Sequence, residues 1–259
     1  LYITSDKESS RIAYDSMVYD GLSEPSESGR PHMGRIAEMC ALQYGFSRKA
    51  QEEYAFESFV RANAAHNSGM FAHDIVHANG LLKDEGLRQA DMGKMQRLPT
   101  EFDKNGTITS ATSAQIADGA SALLIADGSS VHHMGIEPIA HIVDFAVCSQ
   151  SPEWYTTAPA SAIQKLVEGC GFKIDDIDLF EVNEAFAVVP LFAMQELHIP
   201  HEKMNVWGGS IAIGHPLGAT GTRIVGQLAH QLRALNKKRG IAVACNGGGE
   251  AVAVLLERA

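Results

Sequence analysis

The 259 residues carry 21 Lys and Arg against 31 Asp and Glu, a net charge of −10, with 45% hydrophobic and 20% charged residues. These are globular proportions that exclude disorder and fibrous repetition, and an acidic field with no basic run excludes a nucleic-acid surface. No stretch reaches the ~20 apolar residues that span a bilayer, so no membrane partner is expected either.

The opening segment 1–11 is polar and charged, with neither a signal-peptide core nor an initiator Met, so the chain is expected to begin inside a longer one. Residues 1–106 read as helices and loops. A helix is predicted over 33–44, ending at Gly45. Ser47 suits the N-cap of a second helix through Asn67, with Tyr54 and Phe59 on it and Gly69 just beyond. The stretch 74–103 has no clear pattern. Asp103-Lys104-Asn105-Gly106 signals a turn before a short strand at 107–109, and 121–126 reads as a buried strand.

From Met134 the alternation is regular. Strands are expected at 138–148, 177–182, 240–245 and 250–256, and helices at 158–168, 184–197 and 216–235. Val206-Trp207 is expected to lead a glycine-rich loop. Helices set between apolar strands predict an α/β fold, a mainly parallel sheet covered by helices. The last two strands, joined by Gly247-Gly248-Gly249, must pair antiparallel. Residues 129–259 thus read as a self-sufficient unit, and 1–128 do not.

Cys40, Cys148, Cys170 and Cys245 form no CxxC pair, which points to independent reduced thiols and a cytoplasmic location. His132 and His133 lack companions at ligand spacing, so no metal site is expected.

Three segments put reactive side chains beside unusual backbone. Asn183-Glu184-Ala185-Phe186 lies at a strand-to-helix junction, the edge where ligands gather in open α/β sheets; Asn183 could equally cap the helix. In Gly208–Gly221, His215 precedes Pro216, which suits a first helical position. The partial positive charge at a helix start favours a neutral imidazole able to act as a base, although a lone His is more often structural. Cys245-Asn246-Gly247-Gly248-Gly249 ends a buried strand where unshielded N–H groups could converge on an oxyanion and a thiolate. The alternative is that Cys245 is a small core hydrophobe.

Together these segments resemble the thiolase family, which includes acetyl-CoA acetyltransferases and 3-ketoacyl-CoA thiolases. Asp20-Gly21-Leu22, His32-Met33-Gly34 and Phe102–Thr107 extend the likeness over nearly the whole chain. The resemblance implies a β-α-β-α-β-α-β-β half over 129–259, a loop domain over 1–106 and, over 107–128, the tail of an incomplete first half. It implies acyl transfer between thiols of coenzyme A, which is substrate and product, with no tightly bound cofactor and a homo-oligomeric assembly, dimer or tetramer.

By motif position His215 assists a nucleophilic Cys, and Cys245 moves the α-carbon proton. Asn183 holds a water that shares an oxyanion with His215, and Gly247 N–H serves the second oxyanion. His32, Met33 and Phe186 line the channel for coenzyme A and the acyl group. The nucleophile's Cys-x-Ser-Gly segment does not occur here, so that Cys is expected outside this chain. At 110–115 the family's Ala-Gly-Asn-Ala-Ser-Gly is replaced, and Ser113 stands in for the expected coenzyme A contact; Arg97 is out of register for the phosphates. Two alternatives stay open: a catalytically inactive binding or oligomerisation module, and a ketoacyl-synthase-like enzyme, which would lack the terminal Cys-x-Gly-Gly-Gly.

Overall fold

The computed structural model describes residue 15 and residues 17–23, 31–78 and 80–259; the opening segment 1–11 lies outside them. Helices α1 (Met33–Tyr44) and α2 (Arg48–Asn67) stand at their predicted bounds. Ser47 Oγ accepts from Ala50 N at 3.2 Å, a cap worth about 1 kcal/mol. One face of α1 buries Ile36, Ala37, Cys40 and Ala41, and α2 buries Tyr54, Ala55, Phe59 and Ala62, the spacing of an inward stripe. Two short helices follow, α3 (Met92–Met95) and α4 (Gly128–Met134), each capped by an Asp side chain.

Two expected strands do not form. At 107–109 there is one bridge, Thr100 to Thr109, because Glu38 takes the backbone: its carboxylate accepts from Thr107 N at 2.8 Å and Ile108 N at 2.7 Å. Segment 121–126 has no ladder, and Leu124 is 86% exposed. An apolar run becomes a strand only beside another strand, and none of the described strands pairs with it.

The second section contains β1 (Ala140–Ser149), α5 (Ala158–Gly169), β2 (Leu179–Val182), α6 (Val188–Leu197), α7 (Ser210–Ile213), α8 (Thr220–Ala234), β3 (Arg239–Cys245) and β4 (Glu250–Arg258). The strands form one sheet in the order β1-β4-β3-β2. The α/β class holds, but the sheet is mixed. β2 and β3 are parallel, whereas β3–β4 and β1–β4 are antiparallel. Beyond β2, the chain near Val206 contributes only isolated bridges. There the Asn205 amide replaces a strand, accepting from Val182 N at 2.8 Å and donating to Val182 O at 2.9 Å.

Successive strand residues face opposite sides. Phe180, Val182, Ile241, Val243 and Leu255 pack with Ile163 and Leu166 of α5. Leu179, Ala242 and Leu256 pack with Ile224, Leu228 and Leu232 of α8. Since β2 and β3 run parallel, the chain leaves both at the same sheet edge, at Asn183 and just past Cys245.

Candidate active site

Asn183 N still donates to Val243 O at 2.9 Å, so its side chain starts from a fixed backbone. It does not cap α6, which begins only at Val188. Glu184 explains the delay. Its buried carboxylate accepts from Tyr54 Oη and Ser58 Oγ at 2.8 Å, and from Asn205 Nδ2 and Ile211 N at 3.0 Å. A helix starting at Glu184 would pull it off those donors. The same carboxylate requires glycine at 209, where a Cβ would lie 2.5 Å from Glu184 Cδ.

Helix α8 begins at Thr220, not Pro216, so His215 lies ahead of the helix and the expected effect of its end does not act. Pro216 O accepts from Ala219 N and Thr220 N, forming a turn there instead. The His215 backbone N donates to Gln115 O at 2.8 Å; its ring Nδ1 lies 2.7 Å from Thr220 Oγ1 and Nε2 3.3 Å from Asn183 Nδ2. Burial, then the positive charge of Arg223, lowers its pKa to about 4. The ring is neutral at pH 7, as expected, but by desolvation.

Segment 112–116 joins the two motifs. Ala114 N donates to Ala185 O, Ala187 N to Thr112 O, and Ile116 pairs with His215. Ser113 lines the cavity, but its hydroxyl donates to Thr109 O at 2.9 Å and is engaged within the protein. Gln115 clamps the neighbouring loops: Nε2 donates to Ile211 O at 3.0 Å, and Oε1 accepts from Arg88 Nη2 at 2.7 Å.

After Cys245 the backbone turns tightly. Asn246 N, Gly248 N and Gly249 N donate to Glu250 O, Asn246 Oδ1 and Asn246 O. Gly247 N–H has no partner among the described residues. A Cβ at Gly247 would lie 2.9 Å from Met33 Sδ, so glycine lets α1 close on the turn. Cys245 is half-buried, and desolvation pushes its thiol up to about 12. It is therefore a neutral thiol at pH 7, not the thiolate expected beside converging donors.

His32, Met33, Ser113, Phe186, His215, Cys245 and Gly247 all line one cavity of about 1090 Å³. Asn183, 2% exposed, stands behind the wall and meets it through His215. The other three cysteines are free and do not line it.

Family models for the thiolase N-terminal and C-terminal domains match residues 2–129 and 136–258. The chain belongs to the thiolase family. A probable acetyl-CoA acetyltransferase of Dictyostelium discoideum is 38% identical over 253 residues, 94% of this chain and 61% of the relative. The mitochondrial acetyl-CoA acetyltransferase A of Xenopus laevis is 39% identical over 254 residues, 94% of this chain and 60% of the relative. This thiolase chain thus spans about three-fifths of the length of these curated relatives. The crystal structure of Acat5 thiolase from Ascaris suum in complex with coenzyme A matches all of this chain and 68% of that one, with TM-score 0.92 and 35% identity.

Several further residues of this thiolase cavity escaped the sequence reading. Phe102 stacks on His32 at 5.0 Å and meets Phe186 edge-on at 5.6 Å; its place in the Phe102–Thr107 segment was the available signal. His32 Nδ1 accepts from Gly34 N at 3.0 Å, so the neutral ring carries its proton on Nε2. Tyr155 lines the wall and donates to Met33 O at 3.1 Å, with no local sequence cue. Arg88 and Lys94 reach the cavity, whereas Arg97 does not line it. Among the described residues, no His/Cys/Asp/Glu group could hold a metal ion, and no helix is long and apolar enough to cross a membrane.

Proposed function

We propose that this chain carries the proton-transfer and coenzyme A-binding part of an enzyme that moves acyl groups between thiols of coenzyme A, forming or cleaving a 3-ketoacyl-CoA. The observation that carries it is the meeting of His215, Cys245 and the unpartnered N–H of Gly247 on one cavity wall. In the cleavage direction a nucleophilic thiolate adds to the 3-keto carbonyl, and the bond between C2 and C3 breaks. Its electron pair remains as a thioester enolate, which takes the S–H proton of Cys245; the thiolate left there takes the proton of an incoming coenzyme A thiol, whose sulfur then displaces the nucleophile's sulfur from the acyl group. Condensation reverses these steps. A neutral, high-pKa thiol suits this role, because its conjugate base is closer in strength to the weakly acidic α-carbon than an ordinary thiolate.

His215, neutral, takes the proton of the thiol that becomes acylated. Gly247 N–H donates to an oxyanion, and such a donor is typically worth ~3 kcal/mol in the transition state. Asn183 steadies the ring and keeps a second amide proton for a water at the other oxyanion. His32, Met33 and Phe186 form the acyl and pantetheine wall, with Ser113 contributing its backbone. Arg88 and Lys94 are the cations best set for coenzyme A phosphates, and no tightly bound cofactor is invoked.

Only Cys245 of the four thiols reaches the cavity, so the proposal assigns the acylated Cys to a part of the protein outside these 259 residues. On this reading residues 1–106 are a loop domain, 107–128 the tail of a first half and 129–259 the second half. The assembly is then a homo-oligomer: Leu124, Ile125 and Phe145 are exposed apolar residues of the kind that association covers. Four reduced thiols favour the cytoplasm.

Cys245→Ser in the complete protein tests the central claim. Condensation and thiolysis are expected to be lost while coenzyme A still binds; a full rate in the variant would overturn it.

A further inference from the structure

We infer that Arg223 and Ser210, neither of which lines the cavity, are positioning residues that fix the proton of His215 on Nδ1 and leave Nε2 as the proton acceptor. This inference rests on the role proposed above for His215 and adds how that role is set. Arg223 is permanently cationic and can only donate. Its Nη2 donates to Ser210 Oγ at 2.8 Å. Ser210 has one proton, and it goes to Asn183 Oδ1 at 2.6 Å. With Oδ1 so engaged, the amide must turn Nδ2 toward His215 Nε2, 3.3 Å away.

An NH₂ group cannot accept, so Nε2 must. The ring proton therefore sits on Nδ1 and is donated to Thr220 Oγ1 at 2.7 Å, while Thr220 donates its own proton to Pro216 O at 3.1 Å. The hydroxyl protons of Ser210 and Thr220, the ring proton of His215 and the Asn183 amide proton that faces the ring each meet an acceptor. In the reversed arrangement the Asn183 amide flips and donates to Ser210 Oγ, which already accepts from Arg223. The Ser210 proton then has no acceptor among the contacts of the described residues. Ser210 is 0% exposed, so water does not replace its missing acceptor. The guanidinium thus sets the direction of a chain that ends in the cavity. The 3.3 Å contact at Nε2 is long for a hydrogen bond, so this nitrogen can exchange Asn183 for the proton of the thiol that becomes acylated.

The test is the ¹⁵N spectrum of histidine-labelled protein without substrate near neutral pH, with His215 assigned by its loss in His215→Gln. The expected result is a pyridine-type Nε2 and a pyrrole-type Nδ1. Ser210→Ala, which deletes one buried oxygen, is expected to bring in the opposite tautomer while the other histidine signals stay in place. Arg223→Met, which leaves Ser210 Oγ without its fixed donor, should loosen this preference toward a mixture of tautomers, and Arg223→Lys should retain the original pattern; this pair carries the comparison if Ser210→Ala does not fold. A proton on Nε2 in the unmodified protein, or an unchanged single tautomer in the folded uncoupling variants, overturns the inference. Because no turnover is read, an inactive protein with the expected tautomer sinks only the acyl-transfer proposal. An active one with the opposite tautomer sinks only this inference.

Discussion

Replacing Glu181 by glutamine probes the polar contact inside the α8 face of the sheet. Glu181 sits on β2, 1% exposed, and burial pushes its carboxyl up to about 8, against the opposing pull of the Gln231 hydrogen bond and Arg223. Gln231 Nε2 donates to Glu181 Oε1 at 2.7 Å, while the buried Gln231 Oε1 has no partner. In the unfolded chain the Glu181 carboxyl titrates near its ordinary value of about 4.5. The native state therefore binds the extra proton throughout the window from about 4.5 to about 8. Stability from this group is complete below the unfolded pKa and is lost as pH rises through the folded one. The slope is about −1.4 kcal/mol per pH unit, on the order of 5 kcal/mol across the window.

Glutamine keeps the shape and does not titrate. Urea unfolding of both proteins across the window is the assay. The variant's stability should gain on the parent's steadily with pH, and the two should converge on the acid side. Parallel curves would refute a protonated Glu181.

Two further substitutions test how the site is held. Tyr54→Phe removes one of the four donors to the Glu184 carboxylate. A hydrogen bond to a charged group is worth about 1.5–3 kcal/mol, and a denaturant midpoint should fall accordingly, without loss of the fold. Gly247→Ala puts a Cβ against Met33 Sδ; coenzyme A binding by calorimetry is expected to weaken about tenfold, or ~1.4 kcal/mol, and Met33→Ala in the same chain should restore part of it.

Local signals marked the elements whose ends are locally determined. Ser47 and Gly45 set the ends of α2 and α1 within a few residues of chain, and the Gly247–Gly249 turn could join only antiparallel neighbours. The same signals misplaced the starts of α6 and α8. Glu184 is held by Tyr54 and Ser58, far away in sequence, and those bonds outweigh the helical preference of Ala185 and its neighbours. Pro216 suits a first helical turn, yet its carbonyl closes a tighter turn that brings Thr220 beneath the His215 ring. The apolar run at 121–126 carries strand composition but no strand partner, which composition cannot reveal. The site motifs were visible as runs of glycine with one reactive side chain, whereas the link from Arg223 through Ser210 was not. It joins the start of α7 to the first turn of α8, and no periodicity encodes it.

The two shifted groups of the cavity have one cause acting on opposite charges. Burial disfavours the charged form of each. For imidazole that form is the protonated one and the pKa falls to about 4; for a thiol it is the deprotonated one and the pKa rises to about 12. At pH 7 both are neutral, so the two groups do not form an imidazolium–thiolate pair. In the proposed acyl transfer, charge enters with a substrate whose carbonyl oxygens can share it with donors such as Gly247 N–H. Arg223 sharpens this, since its cation repels an imidazolium while its hydrogen bonds leave the neutral ring ready to accept. A proton taken by His215 is therefore held weakly and returned readily. In the proposed transfer one buried guanidinium thus favours both halves, acceptance by geometry and release by charge.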